Sequence, residues 1–333
     1  MFVLQDYSLA VVFCVITMFC WGSWANTQKL AGRRWRFELY YWDYVLGVLL
    51  MALVLAFTLG SRGEHGRAFC ADLAQADLAN LGSAILGGVI FNAANLLLVA
   101  AIALAGMSVA FPVGIGMALV LGVIVNYVAL PKGNPALLFT GVGLIAAAIV
   151  LDALAYRSLP SEKSSRGGLG LILAIFCGIL MGFFYRFVAA AMAPDFITMQ
   201  SGRISPYTAM VFFSLGILAS NFLFNTAIMR FPVSGPPVAF GDYFQGTFRD
   251  HLWGVVGGMI WAVGMTFSII AFGIAGGAIS YGLGQGATMV AALWGVFVWR
   301  EFRQASLATH GLIALMFLAY VGGLALIIYA GTA

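Results

Sequence analysis

The chain has 333 residues, of which 62% are hydrophobic and only 8% are charged. An average soluble domain is roughly 45–50% apolar and about 25% charged, so this composition excludes a soluble fold. The mean hydropathy of +1.01 instead predicts that lipid is the solvent for most of the chain. Each membrane crossing needs about 20 apolar residues, so repeated crossings leave no room for a separate soluble catalytic domain.

Ten apolar segments follow one another along the chain, and each predicts one membrane-spanning helix. These predicted helices 1 to 10 lie near residues 7–30, 39–60, 79–104, 108–130, 135–156, 168–192, 207–230, 251–275, 277–299 and 309–331. We therefore expect an all-α integral membrane protein with short loops.

The basic residues of the loops predict the orientation of the helices. Loops after odd-numbered helices hold Lys29, Arg33, Arg34, Arg36, Arg157, Lys163, Arg166, Arg230, Arg249, Arg300 and Arg303. The other loops hold only Arg62, Arg67, Lys132 and Arg203. Cytoplasmic loops are enriched in Lys and Arg, so both termini are expected outside a cytoplasmic membrane. The scattered charge indicates a lipid bilayer as partner and no nucleic acid.

An internal repeat is visible at a shift of 170 residues. Residues 87–128 align with 257–298 without a gap, and the paired glycines include Gly88 with Gly258 and Gly106 with Gly276. The repeat unit is five helices, which predicts a first repeat at 1–160 and a second, inverted one at 161–333. Inverted repeats let a carrier expose one central site to either side. Duplication kept only for packing is the alternative.

Polar side chains inside apolar segments are the default markers of a solute path. The candidate substrate-binding residues are Trp21, Trp24, Asn26, Asn92, Asn95, Tyr185, Arg186, Asn221, Asn225, Trp261, Tyr281 and Gln285. Several are three or four residues apart, which places them on one helix face. Amides and indole rings suit a sugar or a heterocyclic amide. Alternatively, the asparagines bond neighbouring helices and the tryptophans only pack.

Two ionisable residues inside the apolar segments receive separate predictions. Arg186 would be costly against lipid, so it should face a cavity, pair with a carboxylate or extend to the membrane surface. Asp43 lies about one turn inside helix 2 and is our candidate for proton coupling. For Asp43 and its neighbour Glu38, a favourable charge at the start of a helix is the alternative.

Enzyme chemistry has no visible signature in this sequence. There is no phosphate-binding Walker loop and no Cys/His metal spacing, and His65, His251 and His310 all lie near predicted helix ends. We expect no enzyme activity, no cofactor and no metal site.

Several motifs resemble the drug/metabolite transporter superfamily, in particular its glucose/ribose porter, rhamnose–proton symporter and ureide permease branches. They are Trp21-Gly22-Ser23-Trp24, Tyr41-Trp42-Asp43-Tyr44, Phe91-Asn92-Ala93-Ala94-Asn95 and Trp299-Arg300-Glu301. The resemblance implies ten helices in two inverted halves around an alternately open site, with proton-coupled import in several branches. The Tyr-x-Asp-Tyr stretch resembles ureide permeases most, whereas bacterial relatives of this kind are usually sugar carriers.

The combined expectation is a secondary active transporter, a monomer or homodimer, that carries a monosaccharide and is coupled to a proton or another cation. A ureide, nucleobase or other metabolite carrier is the alternative substrate class. An exporter of drugs or metabolites, a passive channel and an integral-membrane enzyme are the remaining possibilities.

Overall fold

The computed structural model of the protein describes residues 1–32, 35–159 and 167–332. Within these ranges, ten helices are long and apolar enough to cross a membrane. They are α1 Tyr7–Ala31, α2 Phe37–Phe57, α3 Leu78–Ala105, α4 Phe111–Ala129, α5 Pro135–Arg157, α6 Gly167–Ala191, α7 Pro206–Arg230, α8 Phe248–Ala275, α9 Gly277–Val298 and α10 Leu307–Ala330. The predicted all-α membrane fold with ten spans is confirmed, and the predicted boundaries agree to within three residues.

The predicted boundary between the two repeats, at residues 160 and 161, lies outside the described residues. Four of the basic loop residues also lie there: Arg33, Arg34, Lys163 and Arg166. The described helices α3 and α8 both have 28 residues and end at a glycine with positive φ, 77° at Gly106 and 80° at Gly276. The equal lengths and glycine ends of α3 and α8 agree with the inverted repeat, which remains a prediction.

The helix starts follow from local sequence signals. Asn134 caps α5 immediately before Pro135, and Ser205 caps α7 immediately before Pro206. Proline suits the first helical position because the missing N–H would have no helical partner there. Thr247 and Asp250 cap α8 reciprocally, so that the first turn satisfies its own backbone donors.

Helices α2 and α8 touch backbone to backbone. A Cβ atom on Gly258 would lie 1.9 Å from the carbonyl oxygen of Tyr44, and one on Gly47 would lie 2.1 Å from that of Val255. Glycine is required at both positions because any side chain would push the two helices apart.

Helices α3 and α7 cross in a corresponding way. A Cβ atom on Gly88 would lie 2.0 Å from the oxygen of Phe213, and one on Gly216 would lie 2.2 Å from that of Ile85. Gly88 and Gly258 are 170 residues apart, and Gly47 and Gly216 are 169 apart. Each crossing therefore joins one helix of the first half to one helix of the second half. The glycines of the two crossings lie at matching positions of the predicted repeat.

A buried carboxylate ties the loops together at the face that carries the chain termini. Asp72, on the short helix Phe69–Gln75, is fully buried. It accepts hydrogen bonds from Arg67 Nε at 3.0 Å, from the Ser205 backbone N–H at 2.7 Å and from Thr208 Oγ1 at 2.6 Å. This Asp72 cluster joins the loop between α2 and α3 to the start of α7.

Substitution at the α2–α8 crossing should destabilise the folded protein. We expect Gly258→Ala to lower the free energy of unfolding by about 1–3 kcal/mol, because the new methyl group overlaps the Tyr44 backbone. Thermal unfolding of the detergent-purified protein measures this. Gly143→Ala on α5 is the control, because a Cβ atom there meets nothing within 4 Å; equal melting temperatures for the two variants would contradict the close crossing.

Candidate solute cavity

Two spanning helices are interrupted at membrane depth. In α1 the helix stops at Ser23 and resumes at Asn26, and in α9 it stops at Gly284 and resumes at Ala287. Helix α4 begins with a π-helical turn, Phe111–Ile115. At the two interruptions the backbone dihedral angles remain helical, and the hydrogen bonds from Thr27 N–H to Trp24 and from Thr288 N–H to Gln285 span three residues instead of four. Such tightened turns and π-helical turns inside a helix are frequent at functional sites. The interruptions therefore indicate where a solute site can lie.

A cavity of about 370 Å³ lies between these interrupted helices. Its aromatic lining consists of Trp21, Trp24, Phe37, Phe91, Phe111, Phe184 and Trp261. The rings of Trp21 and Trp261 are nearly parallel, with centroids 5.9 Å apart and planes 11° apart. Phe91 packs on the same Trp261 at 4.4 Å. The cavity thus offers flat apolar surfaces against which a planar solute can stack.

The polar lining of the cavity consists of uncharged side chains: Gln28, Asn95, Gln285 and Thr288. Asn95 Nδ2 donates to the Tyr41 hydroxyl at 3.0 Å, which leaves its carbonyl oxygen without a partner among the described residues. Within the described part of the chain, no Asp, Glu, Lys, Arg or His lines this cavity. It can therefore hydrogen-bond a neutral polar solute and offers no counter-ion to a charged one.

The cavity extends from mid-membrane toward one face only. Met181 and Trp261 line it near the middle of α6 and α8, whereas Gln28, Phe37 and Ile102 line it near the ends of α1, α2 and α3. Those ends belong to the face whose loops the sequence predicts to be cytoplasmic. The Asp72 cluster lies at the opposite face, where the loops are joined.

The structure brings five of the twelve predicted site residues into the cavity lining: Trp21, Trp24, Asn95, Trp261 and Gln285. The other seven lie elsewhere. Asn92 is fully buried beside the cavity, where its carbonyl accepts from Tyr41 at 2.9 Å and its Nδ2 donates to Ser220 Oγ at 2.9 Å. It therefore positions Tyr41, and through Tyr41 it positions Asn95.

The α7 asparagines point into packed protein. Asn225 donates to the backbone oxygen of Glu38 at 2.8 Å, and Asn221 is fully buried without a hydrogen-bond partner among the described residues. Asn225 thus forms a hydrogen bond to a neighbouring helix, which was the alternative expectation for the asparagines.

Three more predicted residues have structural partners outside the cavity lining. The Asn26 carbonyl accepts from Trp299 Nε1 at 2.6 Å, and the Tyr185 hydroxyl bonds Ser280 Oγ at 3.0 Å. The Tyr281 hydroxyl is buried and donates to the backbone oxygen of Met181 at 3.1 Å. Spacing along a helix did not reveal these partners, because they come from other helices.

Arg186 meets neither of two expectations, a position facing the cavity or a carboxylate partner. It does not line the cavity, and none of the ion pairs among the described residues includes it. The arginine is half-buried five residues before the end of α6, where a long side chain can extend toward the membrane surface.

Sequence reasoning missed several lining residues, including Gln28, Phe91, Phe184 and Thr288. Phe91 had a usable signal, because the repeat aligns it with Trp261. Phe184 and Thr288 had none, because an aromatic or threonine inside an apolar helix is ordinary composition.

Asp43 lies outside the cavity in a cluster of its own. Its side chain is 2% exposed, and its carboxylate accepts from the Tyr243 hydroxyl at 2.5 Å. His251 Nδ1 lies 3.0 and 3.1 Å from the two carboxylate oxygens, while the histidine ring remains about one-quarter exposed. Gly254 permits this approach, because a Cβ atom there would lie 2.3 Å from that of Asp43. This Asp43 cluster connects a buried carboxylate to solvent through one imidazole.

The sequence did not identify the two partners of Asp43. In the sequence, His251 lies near a predicted helix end and Tyr243 lies in the loop before α8, so neither position indicates a contact with Asp43. The pKa of Tyr243 is raised mainly by burial and further by the hydrogen bond to Asp43 and the negative charge of Asp43. Tyr243 therefore stays a neutral hydrogen-bond donor to the carboxylate.

These features define the class: a multi-pass membrane transporter whose interrupted helices surround an uncharged solute cavity. Comparison with known proteins gives the family. The ureide permease family model matches residues 40–166 and 157–330. The chain belongs to the ureide permease family, which makes it a transporter rather than an enzyme.

Two curated relatives from Arabidopsis thaliana align over almost their whole length. Ureide permease 1 is 22% identical and ureide permease 4 is 24% identical, and each alignment covers 98% of both chains. A solved crystal structure superposes with a TM-score of 0.59 at 18% identity and covers 96% of both chains. At that identity the structural likeness shows the fold alone.

The comparisons support one of the three branches that the sequence resembles. The ureide permease branch matches, whereas the glucose/ribose porter and rhamnose symporter branches receive no support. The expectation of a monosaccharide is therefore unsupported, and the alternative of a ureide carrier fits the comparisons better.

Asn95 and Asn92 should respond differently to truncation. We expect Asn95→Ala to raise the KM of uptake by roughly threefold to tenfold, because one hydrogen bond contributes about 0.5–1.5 kcal/mol. Asn92→Ala should instead lower the melting temperature, because the buried Tyr41 hydroxyl loses the acceptor for its proton and Ser220 Oγ loses a donor. Uptake kinetics and thermal unfolding of both variants measure this. Normal uptake by a stably folded Asn95→Ala protein would remove Asn95 from the site.

Proposed function

We propose that this protein is a secondary active carrier of a neutral ureide and that it works by alternating access with proton coupling. The observation that carries the proposal is the uncharged, aromatic and amide-lined cavity at the interruptions of α1 and α9, in a chain of the ureide permease family. The expected location is a cytoplasmic membrane with both termini outside.

The cavity chemistry supports a ureide. A ureido group is planar, its N–H groups donate and its carbonyl accepts, and side-chain amides provide both complementary groups. Gln28, Asn95 and Gln285 offer such amides beside the Trp21 and Trp261 rings, on which a flat heterocycle can stack. A carboxylate-bearing ureide would enter a cavity without a cation, which is unfavourable away from water.

Two structural features support alternating access. The cavity reaches one face, while the Asp72 cluster joins the loops of the other, so a solute in the cavity meets one side of the membrane at a time. The corresponding crossings of α2 with α8 and α3 with α7 would let the halves exchange these roles, as in carriers with inverted repeats.

Asp43 is the proposed coupling group. A carboxylate that is 2% exposed and bonded to a partly exposed histidine can take up a proton from solvent without contact with the solute. Its helix, α2, packs on α8, which also carries Trp261 of the cavity. Protonation at Asp43 could therefore bias the same helix pair that surrounds the solute.

A ligand screen tests the substrate class. We expect cyclic ureides such as hydantoin and 5-ureidohydantoin to raise the melting temperature of the detergent-purified protein, because a ligand of the folded state stabilises it by about 2.7 kcal/mol at 100 times Kd. Glucose, ribose and rhamnose should leave it unchanged. Stabilisation by monosaccharides alone would reject the ureide assignment while leaving the carrier mechanism in place.

Asp43→Asn tests the coupling. We expect this variant to lose the stimulation of uptake by an acidic outside while it still exchanges labelled for unlabelled solute, because an amide cannot carry the proton. Proteoliposome uptake at imposed pH gradients, with counterflow as the second readout, measures both. Asp250→Asn is the control, because the side-chain hydrogen bonds of Asp250 are to Thr247. Unchanged pH dependence in Asp43→Asn would exclude Asp43 as the coupling group.

A further inference from the structure

A second cavity of about 360 Å³ lies beside the first one. Phe37 and Val99 belong to the walls of both cavities. The Phe37 ring stacks on Tyr41 with centroids 5.1 Å apart, and Tyr41 in turn holds Asn95 of the first cavity. Phe37 and Val99 therefore form a wall that the two cavities share, on the face toward which the first cavity extends.

The wall of the second cavity contains an ion pair. The Glu38 side chain is 9% exposed, and Arg36 bonds both of its carboxylate oxygens, with Nε 3.2 Å from Oε2. A carboxylate has about four acceptor positions, so Arg36 leaves some of them for another donor. The cavity thus presents a carboxylate and a guanidinium side by side, and the described part of its lining carries no net charge.

Arg36 also reaches the loop between α7 and α8. It donates to the backbone oxygens of Ser234 at 3.2 Å and of Pro236. Gly235, with φ of +77°, leaves room for the guanidinium, because a Cβ atom there would lie 3.2 Å from an Arg36 nitrogen. The loop therefore forms one wall of the cavity and is held there by Arg36.

A favourable charge at the start of α2 does not account for the placement of Glu38. An exposed carboxylate would interact with the helix end equally well, whereas burial removes hydration from the charge. Glu38 is buried in the wall of an open cavity, so the geometry favours recognition of a ligand there.

We propose that the second cavity is a separate ureide-binding site, which lies beside the first cavity on the face toward which that cavity extends. This inference rests on the proposed ureide function. One N–H of a ureido unit donates to Glu38, and the carbonyl on the same edge of the unit accepts from Arg36. The apolar part of the solute packs against Leu96, Ala100 and Ile228, which complete the wall. Phe37 separates this site from the first one.

Equilibrium binding of radiolabelled 5-ureidohydantoin to the full-length, detergent-purified protein tests the proposal. We expect two binding components in the wild type, and in Glu38→Gln a second component that is weaker by roughly 10-fold or more, because charge-assisted hydrogen bonds are lost. Glu64→Gln is the matched control, since Glu64 is an exposed carboxylate that lines neither cavity. Asn95→Ala should weaken the other component.

A second variant keeps the test decisive if Glu38→Gln does not fold. Ala103→Phe fills the second cavity and leaves the ion pair intact, so it should also remove the second component, whereas Ala147→Phe on α5, outside both cavities, should retain it. A single component of equal affinity in the wild type, Glu38→Gln and Ala103→Phe would overturn the second site and leave the ureide function standing. Absence of any ureide binding to the wild type would overturn both.

Discussion

Backbone contact at two glycine crossings is the constraint on which the rest of this structure depends. Lipid provides no hydrophobic drive between helices, so close approach of small residues has to hold them together. Gly258 and Gly88 bring α8 onto α2 and α3 onto α7. One turn away from these contacts, Asp43 meets His251 and Asn92 meets Ser220. The polar pairs of the membrane interior are thus placed by the crossings.

The solute cavity and the charged groups are kept apart. Interrupted backbone in α1 and α9 places Trp24 and Gln285 at the cavity, and its polar groups are neutral amides and a hydroxyl. Two of the buried carboxylates lie outside its lining with partners of their own: Asp43 with His251 and Glu38 with Arg36. In the proposed mechanism, the neutral solute and the proton would therefore use different sites.

The types of side chain in the cavity do not by themselves distinguish a sugar from a ureide. Amides and indole rings bind hydroxyls as well as they bind ureido groups, so the residue types at the site suit both solutes. Membership of the ureide permease family favours one of them. For the proposed ureide, the absence of charge from the described lining favours a neutral solute.

By itself, the sequence determined the ten spans, their boundaries and the transporter class, because the hydrophobic length of a helix is a local property. It also predicted Trp21, Trp24, Asn95, Trp261 and Gln285, which line the cavity, because polar and indole groups inside apolar segments are conspicuous. Only the tertiary structure separated these from Asn92 and Tyr281, whose partners lie on distant helices. The contacts of His251 with Asp43 and of Glu38 with Arg36 are likewise visible only in the tertiary structure.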